Sequence, residues 1–397
     1  MLNKNYVAMT TGESVIRRMY MYGLDRAKVV GSENVFDYSL GNPSVAPPSA
    51  YTDALVDLVQ NENPLLVHGY SPNVGMPQAR EAIVKDLNKR YHMGYTLKNI
   101  FMSVSAAGAL AHAFRAVVTP GEGQNIITFA PFFPEYIHYV GGSGAELKVV
   151  PADFSSFQIN FEAFESMIDE KTVAVLINSP NNPSGIVYST QTIERLANIL
   201  RAKSAELGHV IYLISDEPYR EIVFEGTDAP FVAKFYDNTI VCYSYSKSMS
   251  VPGARTGYCL INTEAEGYED FVAVCVQISR CIGHNCPPTL MQLAVARDAG
   301  ATSDLAVYET NMNILYDELT SLGFEMVKPG GTFYMLPKAL EADATAFCEK
   351  AKQFDLILVP GDSFGAPGYF RIAYCVPTEK VRRSLMAFRK LAALYKH

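Results

Sequence analysis

Ser244-Tyr245-Ser246-Lys247-Ser248-Met249-Ser250-Val251-Pro252-Gly253-Ala254-Arg255-Thr256-Gly257 follows directly on the apolar, strand-like run Thr239-Ile240-Val241-Cys242-Tyr243. A lysine after an apolar strand is ordinarily a solvated surface charge. Here Ser244 and Ser246 set hydroxyl donors beside Lys247, and the Pro252-Gly253 turn can fold the guanidinium of Arg255 back toward the same place. Hydroxyls and a planar cation together make a phosphate site. An amine beside such a site, in partly apolar surroundings, is suited to forming a Schiff base with a phosphorylated aldehyde. Lys247 is therefore the candidate reactive group.

The same stretch resembles the lysine segment of the fold-type I pyridoxal 5'-phosphate (PLP) enzymes, specifically the aspartate aminotransferase-like class I/II aminotransferases. Their pattern is Ser-x-x-Lys followed by Gly-x-Arg-x-Gly. It is met by Ser244-Tyr245-Ser246-Lys247 and by Gly253-Ala254-Arg255-Thr256-Gly257. The resemblance implies PLP held by Lys247, with Ser244, Ser246 and Arg255 among its contacts.

Further matches occur in the family's order. Phe36-Asp37-Tyr38-Ser39-Leu40 reads as a strand entering the turn Gly41-Asn42-Pro43, and by resemblance Gly41 lies close to the substrate carboxylate. His68-Gly69-Tyr70-Ser71-Pro72-Asn73-Val74-Gly75 reads only as a loop before the helical pattern Pro77 to Tyr91. The family's matching tyrosine reaches the cofactor phosphate of a second subunit, which assigns that part to Tyr70. Ile100 to Val104 leads into Ser105-Ala106-Ala107-Gly108, where small residues open a helix running to about Val118. A helix start offers unpaired N–H groups and a positive dipole end to an anion, although small residues also serve plain packing. It resembles the family's phosphate turn through Ser105, Ala106 and Ala107, with Ala106 in place of a common glycine.

Asn125 to Ala130 reads as a buried strand followed by Pro131-Phe132-Phe133, and Phe133 matches the family's ring that stacks on the cofactor. The run Thr172 to Ile177 ends in Asn178-Ser179-Pro180-Asn181-Asn182-Pro183-Ser184-Gly185. Turns use such residues in any case, but the Asn-Pro-Ser-Gly string matches a family signature that places Asn182 at the cofactor's phenolic oxygen and beside the substrate. Ile211 to Asp216 ends in an acid, and a buried carboxylate is costly unless it is paired. Asp216 and Tyr219 match the family's Asp-x-x-Tyr, with Asp216 at the ring nitrogen and Tyr219 at the phenolic oxygen. Arg371, inside Tyr369-Phe370-Arg371-Ile372-Ala373-Tyr374, matches the arginine that grips the substrate's α-carboxylate, where a planar fork suits two oxygens.

The 397 residues give chain enough for two domains or one large one. A hydrophobic fraction of 49% and a charged fraction of 19% are those of a globular protein. A formal net charge of -8 argues against a nucleic-acid partner, which demands excess Lys and Arg. The cysteines Cys242, Cys259, Cys275, Cys281, Cys286, Cys348 and Cys375 are odd in number and scattered, the usage of a reducing compartment. Cys281-x-x-His284-x-Cys286 lacks a second pair at zinc spacing, so no metal is expected. No signal core or membrane-length apolar run is read, and the expected location is cytoplasmic.

Alternating strand and helix patterns between about 50 and 290 imply an α/β fold with a mainly parallel sheet flanked by helices. The resemblance implies PLP transferase fold type I. Residues 1–48 would form an N-terminal arm and part of a smaller α+β domain, 49–292 the large PLP-binding domain, and 293–397 the rest of the small domain. The implied activity is amino-group transfer between an L-amino acid and a 2-oxo acid in a homodimer, with aspartate the first expectation and aromatic amino acids the second. A PLP-dependent carbon-sulfur β-lyase shares these residues and would release pyruvate and ammonia without an acceptor. A non-catalytic PLP-binding regulatory module is the alternative of another class, though no basic DNA-binding segment accompanies it.

Overall fold

The computed structural model describes residues 2–10 and 14–395. The expected N-terminal arm and C-terminal domain therefore extend, at residues 1, 11–13 and 396–397, outside the described residues.

The described residues form twelve strands, and the central sheet takes seven of them in the order β2-β8-β7-β6-β5-β3-β4. These are β2 (Ile100–Val104), β3 (Asn125–Phe129), β4 (Glu146–Val150), β5 (Thr172–Asn178), β6 (Tyr212–Asp216), β7 (Thr239–Ser244) and β8 (Thr256–Ile261). All residues of β3, β5, β7 and β8 are buried, which explains why their sequences read as unbroken apolar runs rather than alternating ones. Helices cover both faces. Ser105–Val117 and Tyr268–Ile282 bring Ala109, Phe114, Phe271 and Cys275 against one part of the sheet. Thr190–Leu207 brings Ile193, Leu196 and Leu200 against another.

Adjacent strands pair in parallel from β4 through β3, β5 and β6 to β7. Strand β8 runs antiparallel to both β7 and β2. The reason is connection length. Only a one-turn helix, Tyr245–Ser248, and a short 3-10 turn, Pro252–Ala254, separate β7 from β8. A parallel return needs a crossover of a dozen or more residues, usually including a full helix.

The remaining strands are short. β1 (Phe36–Asp37) pairs with β10 (Leu356–Ile357), and β12 (Phe370–Ala373) lies between β11 (Val359–Pro360) and β9 (Tyr334–Met335). The strand expected over Phe36–Leu40 stops at Asp37, because Oδ1 of Asp37 accepts both the N–H and the hydroxyl of Ser39 and turns the backbone. β10 starts only at Leu356, since Asp355 has φ +57 and leaves the extended region. Tyr38, from the N-terminal side, packs with Tyr308, Phe333, Phe347, Tyr374 and Phe388 in one core. Both ends of the chain thus contribute to this smaller unit.

The boundary expected between 292 and 293 cuts through the helix Thr289–Arg297. Its Leu293, Ala294 and Val295 pack with Tyr51, Ala54, Leu58 and Ile83, so the packing of the large unit runs past residue 293. Among the described residues no helix is long and apolar enough to cross a membrane.

Candidate active site

Parallel strands end at one edge of the sheet, and in α/β folds the crevice beyond that edge collects ligands. Here β5 ends in Asn178, β6 in Asp216 and β7 in Ser244, while Ser105 follows β2. They line a cavity of about 280 Å³ closed from the smaller unit by Gly41, Tyr334 and Arg371.

Lys247 sits on the one-turn helix after β7. Ser244 caps that turn by accepting the N–H of Ser246 at 3.0 Å, and its hydroxyl bonds that of Ser246 at 2.5 Å. The Lys247 Nζ donates to the carbonyl of Gly41 at 2.6 Å. Burial pulls its pKa down to about 8, Cys375 opposes this, and the charges of Arg371 and Arg255 add to the lowering. In the cofactor-free protein, Lys247 should therefore react with an amine-selective acylating reagent with a midpoint of about pH 8. The sign follows from the shift, because the neutral, reactive amine predominates above the lowered value. Peptide mapping against pH checks this, and a midpoint above about pH 10, the ordinary lysine range, would remove burial as the controlling influence.

Arg255 donates from Nη2 to the Ser105 hydroxyl at 2.6 Å and from Nη1 to the Pro252 carbonyl at 3.0 Å. This ties the arginine to the start of the helix Ser105–Val117, where Ala106 and Ala107 also line the cavity. Gly257 permits the approach: a Cβ there would fall 2.3 Å from the Tyr243 carbonyl oxygen and 2.9 Å from the backbone of Ser105. Gly41 is equally constrained, since a Cβ would fall 1.7 Å from the Tyr334 hydroxyl.

Asp216 is buried. Its Oδ2 accepts from the Tyr136 phenol at 2.5 Å, and its backbone carbonyl accepts from Asn178 Nδ2 at 2.8 Å. Its Oδ1 has no partner among the described residues. Burial pushes its pKa up to about 7, the Tyr136 hydrogen bond opposes the rise, and Glu217 adds to it. Asn178 also accepts the Asn182 N–H at 2.8 Å. Asn182 Oδ1 accepts from Arg371 Nη1 at 3.1 Å. Arg371 is buried, donates from Nη2 to the Ser39 carbonyl and leaves Nε unpartnered among the described residues. Its guanidinium lies 4.8 Å from the Tyr334 ring centre and 4.9 Å from that of Phe364. Tyr219 and Tyr334 meet through their hydroxyls at 3.3 Å.

The structure brings together Gly41, Ser105, Ala106, Ala107, Phe133, Asn182, Asp216, Tyr219, Ser244, Ser246, Lys247, Arg255 and Arg371 around the cavity. Tyr70 is not among them. Its side chain is fully exposed, in a loop held by the Thr289 hydroxyl donating to the Gly69 carbonyl at 2.8 Å. Sequence reasoning did not single out Tyr136, Asn178 or Tyr334 for the site. The available signals were Tyr136 three residues after Phe133, and Asn178 at a strand end in register with Asp216. Ile16, Leu40 and Tyr139 also line the wall without a motif to announce them. Cys286 donates to the carbonyls of Pro72 and Asn73, and no set of potential metal ligands converges among the described residues.

These groups suit a phosphorylated pyridine aldehyde. The unpartnered buried carboxylate oxygen of Asp216 matches a protonated ring nitrogen. The hydroxyls, Arg255 and the helix start match a phosphate. Lys247 supplies the amine.

A model of the family described as "Aminotransferase class I and II" matches residues 33–388. The chain is 29% identical to an aspartate aminotransferase of Thermotoga maritima over 91% of this chain and 92% of that protein. It is 27% identical to one of Geobacillus stearothermophilus, over 89% of this chain and 90% of the other. Among solved structures, an amino transferase from Eubacterium rectale superposes with a TM-score of 0.96 at 44% identity, covering 100% of both chains.

Proposed function

Because the chain belongs to the class I and II aminotransferases, a family of PLP-dependent transaminases, we propose that it moves the amino group of aspartate to a 2-oxo acid at the cavity around Lys247. The observation that carries the site assignment is the unpartnered Oδ1 of Asp216, a buried acceptor in the same cavity as Lys247. The names of the Thermotoga and Geobacillus relatives support aspartate. Measuring the 2-oxo acid formed from a panel of amino acids tests both parts. Oxaloacetate from aspartate as the fastest product is expected, and a faster aromatic or aliphatic substrate would overturn the aspartate assignment.

When bound, PLP supplies an aldehyde that condenses with amines and a cationic ring that withdraws electrons from the substrate's α-carbon. Lys247 Nζ anchors it and, once free, takes the α-proton and returns it as general base and acid. Asp216 Oδ1 would hold the proton on the ring nitrogen. Ser244, Ser246, Arg255 and the N–H groups at Ala106 and Ala107 would hold the phosphate. Phe133 would cover the ring face, and Asn182 and Tyr219 would address the phenolic oxygen. Gly41 and Arg371 receive the substrate's α-carboxylate.

Arg371→Ala should lower kcat/KM by about a hundredfold for every amino acid tested, since two hydrogen bonds to a charged group are lost. The ranking of substrates should stay the same, because all of them share the α-carboxylate. Arg371→Lys should recover little, as an ammonium lacks the planar fork. Steady-state kinetics on several amino acids checks this, and changes within about twofold would leave the carboxylate without its assigned anchor.

We place the exposed Tyr70 ring in the phosphate site of a second copy, which makes the working form a homodimer. Sedimentation at assay concentration tests the pairing, and a monomer would exclude it. All seven cysteines are free, which supports a cytoplasmic location, to be tested by cell fractionation.

A further inference from the structure

We infer that Tyr136 is a positioning residue for the cofactor ring: its phenol occupies Oδ2 of Asp216, leaving Oδ1 for the ring nitrogen, while its ring packs perpendicular to that of Phe133. The inference rests on the reading that Asp216 partners that nitrogen.

Tyr136 is fixed before it reaches the carboxylate. It begins the helix Tyr136–Gly141, and its N–H donates to the Phe133 carbonyl at 3.1 Å. Its ring stands nearly perpendicular to that of Phe133, at 86° and 5.7 Å between centres. The side chain is buried, and the phenol meets Oδ2 at 2.5 Å. One residue therefore contacts both groups assigned to the ring, its face partner and its nitrogen partner.

The chemistry of the donor matters. An ionised carboxylate only accepts hydrogen bonds and offers two oxygens. No cation is paired with Asp216 among the described residues, and Glu217 is the charged neighbour that raises its pKa. A lysine or arginine at Oδ2 would neutralise the carboxylate whatever the protonation of the ring. A phenol stabilises the anion by one hydrogen bond without supplying a positive charge. The ring nitrogen then remains the cation that Asp216 pairs with, which favours the protonated, electron-withdrawing ring. Burial raises the Tyr136 phenol well above its ordinary pKa, with Asp216 adding to the rise, so the phenol stays the donor.

Tyr136→Phe separates the two contacts, because it keeps the ring packing and deletes the donor. The test compares four proteins: the parent, Tyr136→Phe, Asp216→Ala and the double variant. Cofactor affinity is read by equilibrium titration of the apoproteins, kcat and KM in the loaded forms, and thermal unfolding of the apoproteins verifies that each is folded. Tyr136→Phe should weaken cofactor binding by about tenfold and lower kcat more than it changes KM, the scale of one charge-assisted hydrogen bond. In the Asp216→Ala background the same substitution should change affinity by less than about twofold, because its acceptor is gone. An equal effect in both backgrounds would overturn the inference and leave Tyr136 a packing residue. So would a Tyr136→Phe protein indistinguishable from the parent while Asp216→Ala is impaired. If Asp216→Ala itself left affinity and kcat unchanged, the reading of Asp216 would fail first and this inference with it.

Discussion

Lys247→Ala is expected to reduce turnover by about ten-thousandfold or more, the largest effect of any single substitution in the cavity. Proton transfer by a positioned side chain contributes roughly a hundred- to ten-thousandfold, and this lysine also supplies the amine that anchors the cofactor. Its neighbours cannot replace it. An arginine guanidinium offers no free base in a protein, and the Tyr219 phenol is held well above its ordinary pKa by burial, with Tyr334 adding to the rise. The hydrogen bond to Gly41 positions the Lys247 amine against a neutral carbonyl, so no anion fixes it as an ammonium. The phosphate contacts proposed for Ser244, Ser246 and Arg255 would survive the substitution, so the variant should retain bound cofactor while losing activity. Turnover and cofactor content measured on the same preparation check both halves. Activity within about tenfold of the parent would show that another group moves the proton.

The second large effect is expected at Asp216. Asp216→Ala should lower kcat by about a hundred- to thousandfold, as for removal of one preorganised electrostatic partner of the developing charge. Cofactor affinity should fall by much less, because the phosphate anchors are untouched. The loss should also widen as pH rises. Without the carboxylate, nothing in the cavity holds the proton on the ring nitrogen, and alkaline solution removes it. In the parent, burial sets the carboxylate's pKa at about 7, and the charge of a protonated ring placed beside it would oppose that rise. Profiles of kcat against pH for parent and variant check the prediction. A ratio that stays flat across pH would mean that Asp216 acts by packing rather than by charge.

Much of this site was legible before folding, because its anchors sit where a strand stops. An apolar run that ends in Asn178, Asp216 or Ser244 declares a buried strand and the polar residue at its carboxyl end, and parallel strands carry those ends to one edge. The Pro252-Gly253 turn to Arg255 and the small residues after Ser105 are local patterns of the same kind. What the local patterns left open was the direction of each strand. Strand β8 looks like any other apolar run, and its reversed direction follows from the short connection after β7, a property of the chain path rather than of the strand.

The sequence by itself determined the fold class and singled out Lys247 and the strand-end groups as candidates, since each reading depends on residues within a few positions of one another. The tertiary structure alone decided the contacts that make those groups a site. Lys247 meets Gly41 across 206 positions, Arg371 meets Asn182 across 189, and Tyr136 meets Asp216 across 80. None of these pairs has a local signature, because a tyrosine after a turn or an arginine in a strand satisfies the same short-range rules wherever it ends up. Burial turns them into chemistry. Removed from water, the Lys247 amine has its pKa pulled down to about 8, the Asp216 carboxyl is pushed up, and Arg371 is left with an unpartnered nitrogen among the described residues. Tyr70 marks the opposite case, a residue with a family motif that folding of one chain leaves in solvent.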